Sequence, residues 1–330
     1  MKISILIGTR NRASALRETL EALFQQQHLS YFDFEVIVVN NDSPDNTRQV
    51  VEDFEAQYPE HLIYLEEKTL GASSARNAGL RVASGDVIAI VDDDVLVEKN
   101  WLAEIHREFA EDESLGLMAG RVLLARTELQ PVAIQESTEP RIMNTPEQAV
   151  ESACIIVGAN TAFRREVFEQ CGDYDVRLGP GRFFAGCDDL DLVCRAMKAG
   201  YRMKYAPNVV VYHNHDRVSR KQACHLQYNY GKGYAGYLVK HLFAGDKHAL
   251  RVTYWSLYGY IKRILNRSAD RLYAADFARE LLRGMIIAFV PAVLRMWREY
   301  KGHRIAVRKE IVDIPLLQSR KTEYRKAQIG

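Results

Sequence analysis

The stretch DVIAIVDDD, residues 86–94, runs from an unbroken apolar segment into three adjacent carboxylates, Asp92, Asp93 and Asp94. Five consecutive apolar residues, rich in β-branched types, read as a strand buried on both faces, the kind found in parallel sheets covered by helices. The three acids repel one another, and nothing basic follows until Lys99. Taken alone, they fit either a solvated loop with an Asp capping the next helix or a site whose charge a divalent cation neutralises.

Outward from this strand the same pattern recurs. ISILIG (3–8), FEVIVVNN (34–41) and LIYLEE (62–67) are further strand candidates, with ALRETLEALFQQQ, TRQVVEDFEAQY and GASSARNAGLRVA as the helical segments between them. Strands alternating with helix-period segments predict βα units and a mostly parallel sheet. Residues near 158–170, 183–200 and 208–213 supply further loop, helix and strand. In open sheets of this kind ligands sit beyond the carboxyl ends of the strands. Three polar stretches, GTRNR, NNDSPDN and DDD, fall at those ends and converge on one crevice.

A chain of 330 residues with 47% hydrophobic and 26% charged residues is an ordinary globular composition of one large domain or two. Five cysteines without a CxxC pair argue against a disulfide framework and a zinc site and for a reducing compartment. The apolar stretch in MKISILIGTRNR is too short for a signal peptide, so a cytoplasmic location is expected. The net charge of +1 conceals a division: residues 1–215 carry −13 and residues 216–330 carry +14. Two regions are therefore expected, 1–215 as an acidic α/β domain and 216–330 as a basic, mainly helical region that prefers an anionic surface.

In order along the chain, SILIGTRNRASALRETLEAL, EVIVVNNDSPDNT, GASSARNAGLRVASGDVIAIVDDDV, GANTAFRREVF, CGDYDVRLG, GCDDLDLVCRAMKAGY and VVVYHNH resemble family 2 glycosyltransferases over roughly residues 1–215. The resemblance implies the GT-A fold, inverting transfer from a nucleotide-sugar donor, and a DxD metal motif formed by Asp92 and Asp94, with Asp94 the direct ligand. It implies Mn²⁺ or Mg²⁺ as cofactor, because departure of a nucleotide diphosphate builds negative charge that such an ion stabilises. Asp92 also orients the donor, and Asp93 either joins the donor site or faces water. Donor-binding candidates are Thr9, Asn11 and Arg12 after the first strand, Asn41 after the second, and Arg76 and Asn77 in SSARNAG. An Asn amide at 41 can pair with uracil or thymine, or can simply shape a turn. Arg76 reaches diphosphate or ribose, or pairs with an acid. UDP-, dTDP- and GDP-sugars all remain candidate donors.

The family's general base lies in an acidic helix start, here GCDDLDL. The resemblance puts Asp189 in that role, with Asp188 second and Asp191 as a structural partner; a carboxylate among carboxylates gains basicity. The preceding RLGPGRFFAG (177–186), with three glycines and two aromatics, can close over the substrates. His213 and His215 share one face of the last strand; either can be a structural histidine, and the resemblance implies that one of them, His213 by preference, completes the metal site.

GMIIAFVPAVL, between Arg283 and Arg295, has no charge but is too short to span a bilayer. Its basic, aromatic flanks suit either a helical subdomain packed on the first region or an interfacial helix; the second is preferred, with peripheral attachment to the inner face of the membrane and a saccharide or lipid-linked acceptor for cell-surface polysaccharide. No nucleic-acid module is visible. Two other functions fit parts of the pattern: a sugar-1-phosphate nucleotidyltransferase, although Gly8 is the only glycine in LIGTRNR, and a nucleotide-sugar-binding protein without catalysis.

Overall fold

A computed structural model describes residues 1–302 apart from 28, 146–147, 149–157, 247 and 268–270. The last part of the expected basic region, residues 303–330, lies outside the described residues. β1 (Ile3–Thr9), β2 (Phe34–Asn40), β3 (Leu62–Glu66) and β4 (Val87–Asp92) form a parallel set in the order β3-β2-β1-β4. α1 (Ala13–Phe24), α2 (Thr47–Glu55) and α3 (Ala72–Leu80) make the crossovers. Alternation along each strand serves two cores. Ile3, Ile5 and Ile7 pack with Leu16, Leu20 and Leu23 of α1, while Leu6, Ile37 and Ile90 face Ala75 and Ala78 of α3. Gly79 lets α3 settle on the sheet, since a Cβ there would come 2.0 Å from Leu6 Cδ1.

Beyond β4 the pairing turns mixed. The sheet continues through β8 (Asn160–Arg164), antiparallel to β4 and to β6 (Leu115–Leu124), and then through β9 (Arg202–His213), parallel to β6. β5 (Val95–Val97) and β7 (Arg141–Met143) both pair antiparallel with β9, completing nine strands among the described residues. α4 (Trp101–Glu111) covers the same face as α1, through Trp101, Ile105 and Phe109. β5, α4, β6 and β7 have no counterpart among the segments read from the sequence.

α5 (Arg165–Cys171) and α6 (Asp188–Lys198) precede β9, and α7 (Arg220–Phe243), α8 (His248–Arg267) and α9 (Arg271–Gly302) follow it. A capping box starts α7: Ser219 accepts from the Gln222 backbone N–H while the Gln222 side chain accepts from the Ser219 N–H. α7 and α9 cross backbone against backbone. A Cβ on Gly231 would meet the Leu281 carbonyl at 1.9 Å, and one on Gly284 the Tyr228 carbonyl at 2.0 Å. The apolar cores run across residue 215: Leu178 and Phe184 pack with Ala235, Ala288 and Met296, and Leu190 with Tyr237 and Val252. Among the described residues no helix is long and apolar enough to cross a membrane.

Candidate active site

Parallel pairing gathers the carboxyl ends of β1, β2 and β4 on one edge, with Gly8 opposite Asp92 and Thr9 opposite Asn40. The chain leaves β4 through residues 92–94 and re-enters the sheet as β5, where Val95 pairs with His213. That register brings His213 Nε2 to 3.2 Å from Asp94 Oδ1. Asp92, Asp94 and His213 each offer one ligand atom, all within 4.8 Å of one another, close enough for one cation to touch all three.

The side chains suit that occupant. His213 Nδ1 lies 3.1 Å from the Ala133 carbonyl, which fixes the ring with Nε2 turned toward Asp94; burial lowers the ring's pKa, but the neighbouring carboxylates raise it further. Asp94 Oδ1 is buried and accepts no hydrogen bond. A carboxylate, a second carboxylate and an imidazole form a donor set that Mn²⁺ accepts. Burial alone would raise the Asp94 pKa, but His213 and Arg12 hold it well below the usual carboxylate range. His215 stands outside the cluster. Its ring sits edge-on to His213 with centroids 4.9 Å apart, its Nδ1 accepts from the Arg217 backbone N–H, and burial and His213 lower its pKa to about 4.

Asp93 does not face water. It is buried, accepting from Thr9 Oγ1 at 2.7 Å and from Arg12 Nη1 at 3.0 Å, and burial pushes its pKa up to about 6 against the pull of Arg12. Arg12 also donates to Asp94 Oδ2 at 2.5 Å, so Thr9 and Arg12 fix the acidic turn from beneath. Asn11 adopts φ 55° and its N–H donates to Ser43 Oγ, which turns the chain into α1.

Two of the candidate amides are occupied by backbone. Asn41 Nδ2 donates to the Glu67 and Thr69 carbonyls at 2.7 and 3.0 Å, and its Oδ1 accepts from the Gly71 N–H at 2.8 Å. Asn77 pairs with both backbone groups of Tyr174, at 2.9 and 3.0 Å. Arg76 pairs with acids, and they are those of the site itself. Its Nη1 donates to Asp188 Oδ2 at 2.6 Å and to Asp189 Oδ1 at 3.3 Å, and its Nη2 to Asp92 Oδ1 at 3.3 Å. It lies 5.3 Å from the Tyr174 ring centroid. One guanidinium therefore links the helix-start carboxylates to the strand-end ones.

α6 begins after Cys187, held at φ 64°, and its first turn presents Asp188 and Asp189 to the crevice. Asp188 is buried, whereas the Asp189 side chain keeps 20% exposure. Burial raises the Asp189 pKa to about 7; Arg76 opposes that shift, and Asp188 and Asp92 add to it. Asp188 is raised too, again by burial against Arg76. Asp191 behaves oppositely. Fully buried, it accepts from Arg195 Nε at 2.9 Å and from Lys240 Nζ and His241 Nε2 at 2.8 Å. Burial would raise its pKa, yet Lys240, Arg195 and His241 hold it far below the ordinary value. Lys240 also meets Asp175 Oδ2 at 2.7 Å.

Loop 177–186 is clamped rather than loose. Leu178 and Pro180 carbonyls accept from Ser73 Oγ and the Ala72 N–H, Arg182 donates to Ser74, and Arg177 pairs with Asp175 and with Glu299 of α9. A Cβ on Gly179 would press within 2.8 Å of the Asp188 carboxyl, and one on Gly158 would come 2.1 Å from Asp189 Oδ2. Gly158, Lys240 and His241 were not among the residues singled out from the sequence. An isolated glycine and a Lys-His pair inside a basic helix carry no local signal of what they meet some thirty to fifty residues away.

A parallel βα half, a carboxylate–imidazole cluster at its strand ends and a raised carboxylate at a helix start have the layout of a GT-A type glycosyltransferase. Residues 4–172 match the family described as Glycosyl transferase family 2, and the chain belongs to that family. Hyaluronan synthase of Pasteurella multocida is 27% identical over 186 residues, covering 56% of this chain and 19% of that protein, so the chain spans about a fifth of that relative's length. Among solved structures, the mannosyltransferase PcManGT from Pyrobaculum calidifontis, in complex with GDP-Man and Mn²⁺, shares the fold at TM-score 0.56 and 20% identity, covering 90% of this chain and 87% of that one. S. aureus TarS 1-349 in complex with UDP-GlcNAc does so at TM-score 0.57 and 15% identity, covering 99% and 92%.

Proposed function

We propose that this chain is an inverting, metal-dependent glycosyltransferase that moves a sugar from a nucleotide-diphosphate sugar to a saccharide or lipid-linked acceptor in cell-surface polysaccharide synthesis. One observation carries the reading: Arg76 joins Asp188 and Asp189 to Asp92, beside the Asp92–Asp94–His213 cluster. Transfer needs both halves of that arrangement. A cation held by Asp92, Asp94 and His213 supplies charge stabilisation for the departing diphosphate. Asp189, with a pKa near 7 and access to the crevice, takes the proton of the attacking acceptor hydroxyl. Asp188 keeps Arg76 in place, and Arg76 in turn faces the donor's negative charge. Asn41 and Asn77 shape the donor crevice through the backbone they hold. The GDP-Man and UDP-GlcNAc held by the two structural neighbours support a nucleotide-diphosphate sugar as donor class. The basic region 216–330 supports attachment to an anionic membrane surface on the cytoplasmic side.

A thermal-shift screen of UDP-, dTDP- and GDP-sugars with Mn²⁺ or Mg²⁺ identifies the donor, because a ligand that binds only the native state raises its melting point. With that donor, Asp94→Ala abolishes transfer and metal-dependent donor binding together. Near-wild-type turnover in Asp94→Ala refutes the metal assignment. Pyrophosphate release from a nucleoside triphosphate and a sugar phosphate redirects the reading to nucleotidyl transfer.

A further inference from the structure

α9 has two unlike faces. Ala288, Ala292 and Met296 pack inward on Leu178 and Phe184. On the other side Leu282, Ile286, Ile287, Phe289, Val290 and Leu294 are all exposed, Ile286 to 74% and Val290 to 61%. At 100° per residue these six fall within a single arc of the helix, and no charged side chain interrupts the sequence between Arg283 and Arg295. Six large apolar side chains about half exposed form a contiguous patch on the order of several hundred Å², larger than scattered surface apolars account for. Exposed Arg279 and Arg283 stand on that side at one end, and Arg298 borders it at the other. Asp276, Glu280 and Glu299 offset part of that charge, but the region as a whole remains strongly basic.

We infer that this face of α9 lies in the interface of an anionic lipid bilayer. An apolar strip with arginines at both ends matches the layering of such a surface, acyl chains beneath the strip and headgroup phosphates around its rim. A second copy of the chain fits less well, because a two-fold contact would set the same arginines against themselves. The location matters for the acceptor, and here the inference rests on the glycosyltransferase reading. The inner face of α9 touches loop 177–186 through Leu178, Phe184 and the Arg177–Glu299 pair at 2.5 Å. Only one helix, about 10 Å across, then separates the bilayer from the loop that leads into Asp188 and Asp189. A lipid-linked saccharide would meet the base without leaving its membrane.

The test is co-sedimentation of the full chain with phosphatidylcholine vesicles, with and without phosphatidylglycerol, at low and high salt. Light scattering and nucleotide-sugar binding with Mn²⁺ are measured on the same preparations. Wild type partitions onto the anionic vesicles at least about tenfold better than onto neutral ones, and salt weakens it. Ile286→Glu/Val290→Glu lowers that partitioning about tenfold or more, with melting point and donor binding unchanged. Arg283→Gln/Arg298→Gln, which leaves the apolar strip intact, removes most of the anionic preference. Equal partitioning of wild type and both variants overturns the inference. So does a wild-type dimer that ignores vesicles and dissociates in Ile286→Glu/Val290→Glu. Vesicle binding without any nucleotide-sugar binding leaves the surface standing and sinks the catalytic reading instead.

Discussion

Asp189→Asn should leave the protein inactive and more stable, by an amount that depends on pH. In the native state Asp189 titrates near 7, because burial disfavours its charged form more than Arg76 favours it. In the unfolded chain it returns to 3.8. Between those values the native state binds the extra proton, so stability falls as pH rises through the window and levels off above about 7. At pH 5.5 the wild type has lost about 2 kcal/mol from this group, and at pH 8 about 4 kcal/mol, at roughly 1.4 kcal/mol per unit. Asn carries no such slope. Groups remote from Asp189 titrate alike in the two proteins and cancel, so the variant's advantage should grow by about 2 kcal/mol between pH 5.5 and 8. That corresponds to a difference in melting temperature that widens by about 3 °C. Thermal denaturation by circular dichroism at the two pH values, without metal or donor, measures it. Transfer assays on the same samples should show a loss of at least about a hundredfold. A melting difference that stays constant with pH would mean Asp189 is an ordinary ionised carboxylate in the folded protein, and the argument for it as base would fail.

Lys240→Met removes a buried cation shared by Asp175 and Asp191. Each carboxylate keeps another partner, Arg177 and Arg195, so the cost belongs at the lower end of the range for a broken buried pair, about 3 kcal/mol. Urea denaturation should show it, and the loss should shrink by at least about 1 kcal/mol in an Asp191→Asn background. Gly158→Ala sets a methyl against Asp189 Oδ2 and should lower kcat at least about tenfold while moving the melting point little, which steady-state kinetics with calorimetry would check.

Legibility in the sequence followed range. β1, β2, β3 and β4 showed because each is a short apolar run ended by polar residues, and those endings marked the crevice. Asp92, Asp94 and His213 were recoverable because a strand-end acid and a strand-end histidine are local signals, and the β5–β9 register brought them together. Both histidines alternate onto one face, so the preference for His213 had no geometric ground until the register supplied one. The occupation of Asn41 and Asn77 by backbone groups was not legible, as their partners lie 26 to 97 residues away. Asp93 illustrates the same limit. Nothing beside it announces Thr9 and Arg12, more than eighty residues earlier, as its partners. β6 escaped because its apolar run contains Gly116 and Gly120, which read as loop. Gly120 is there for space: a Cβ would come 2.2 Å from the Asn160 amide.

The buried cluster around Asp191 also sets a timetable for making the protein. Arg195 leaves the ribosome almost together with Asp191, but Lys240 and His241 follow some fifty residues later. At roughly 5–20 residues per second that is an interval of about 3–10 seconds. During it the first turn of α6 holds a carboxylate with one of its three partners, so it has little reason to leave water. The first two hundred residues can assemble their parallel sheet on the way out, yet the helix bearing Asp188 and Asp189 cannot settle until α7 has been synthesised. Folding of the first part of the chain is therefore completed by the part that follows it.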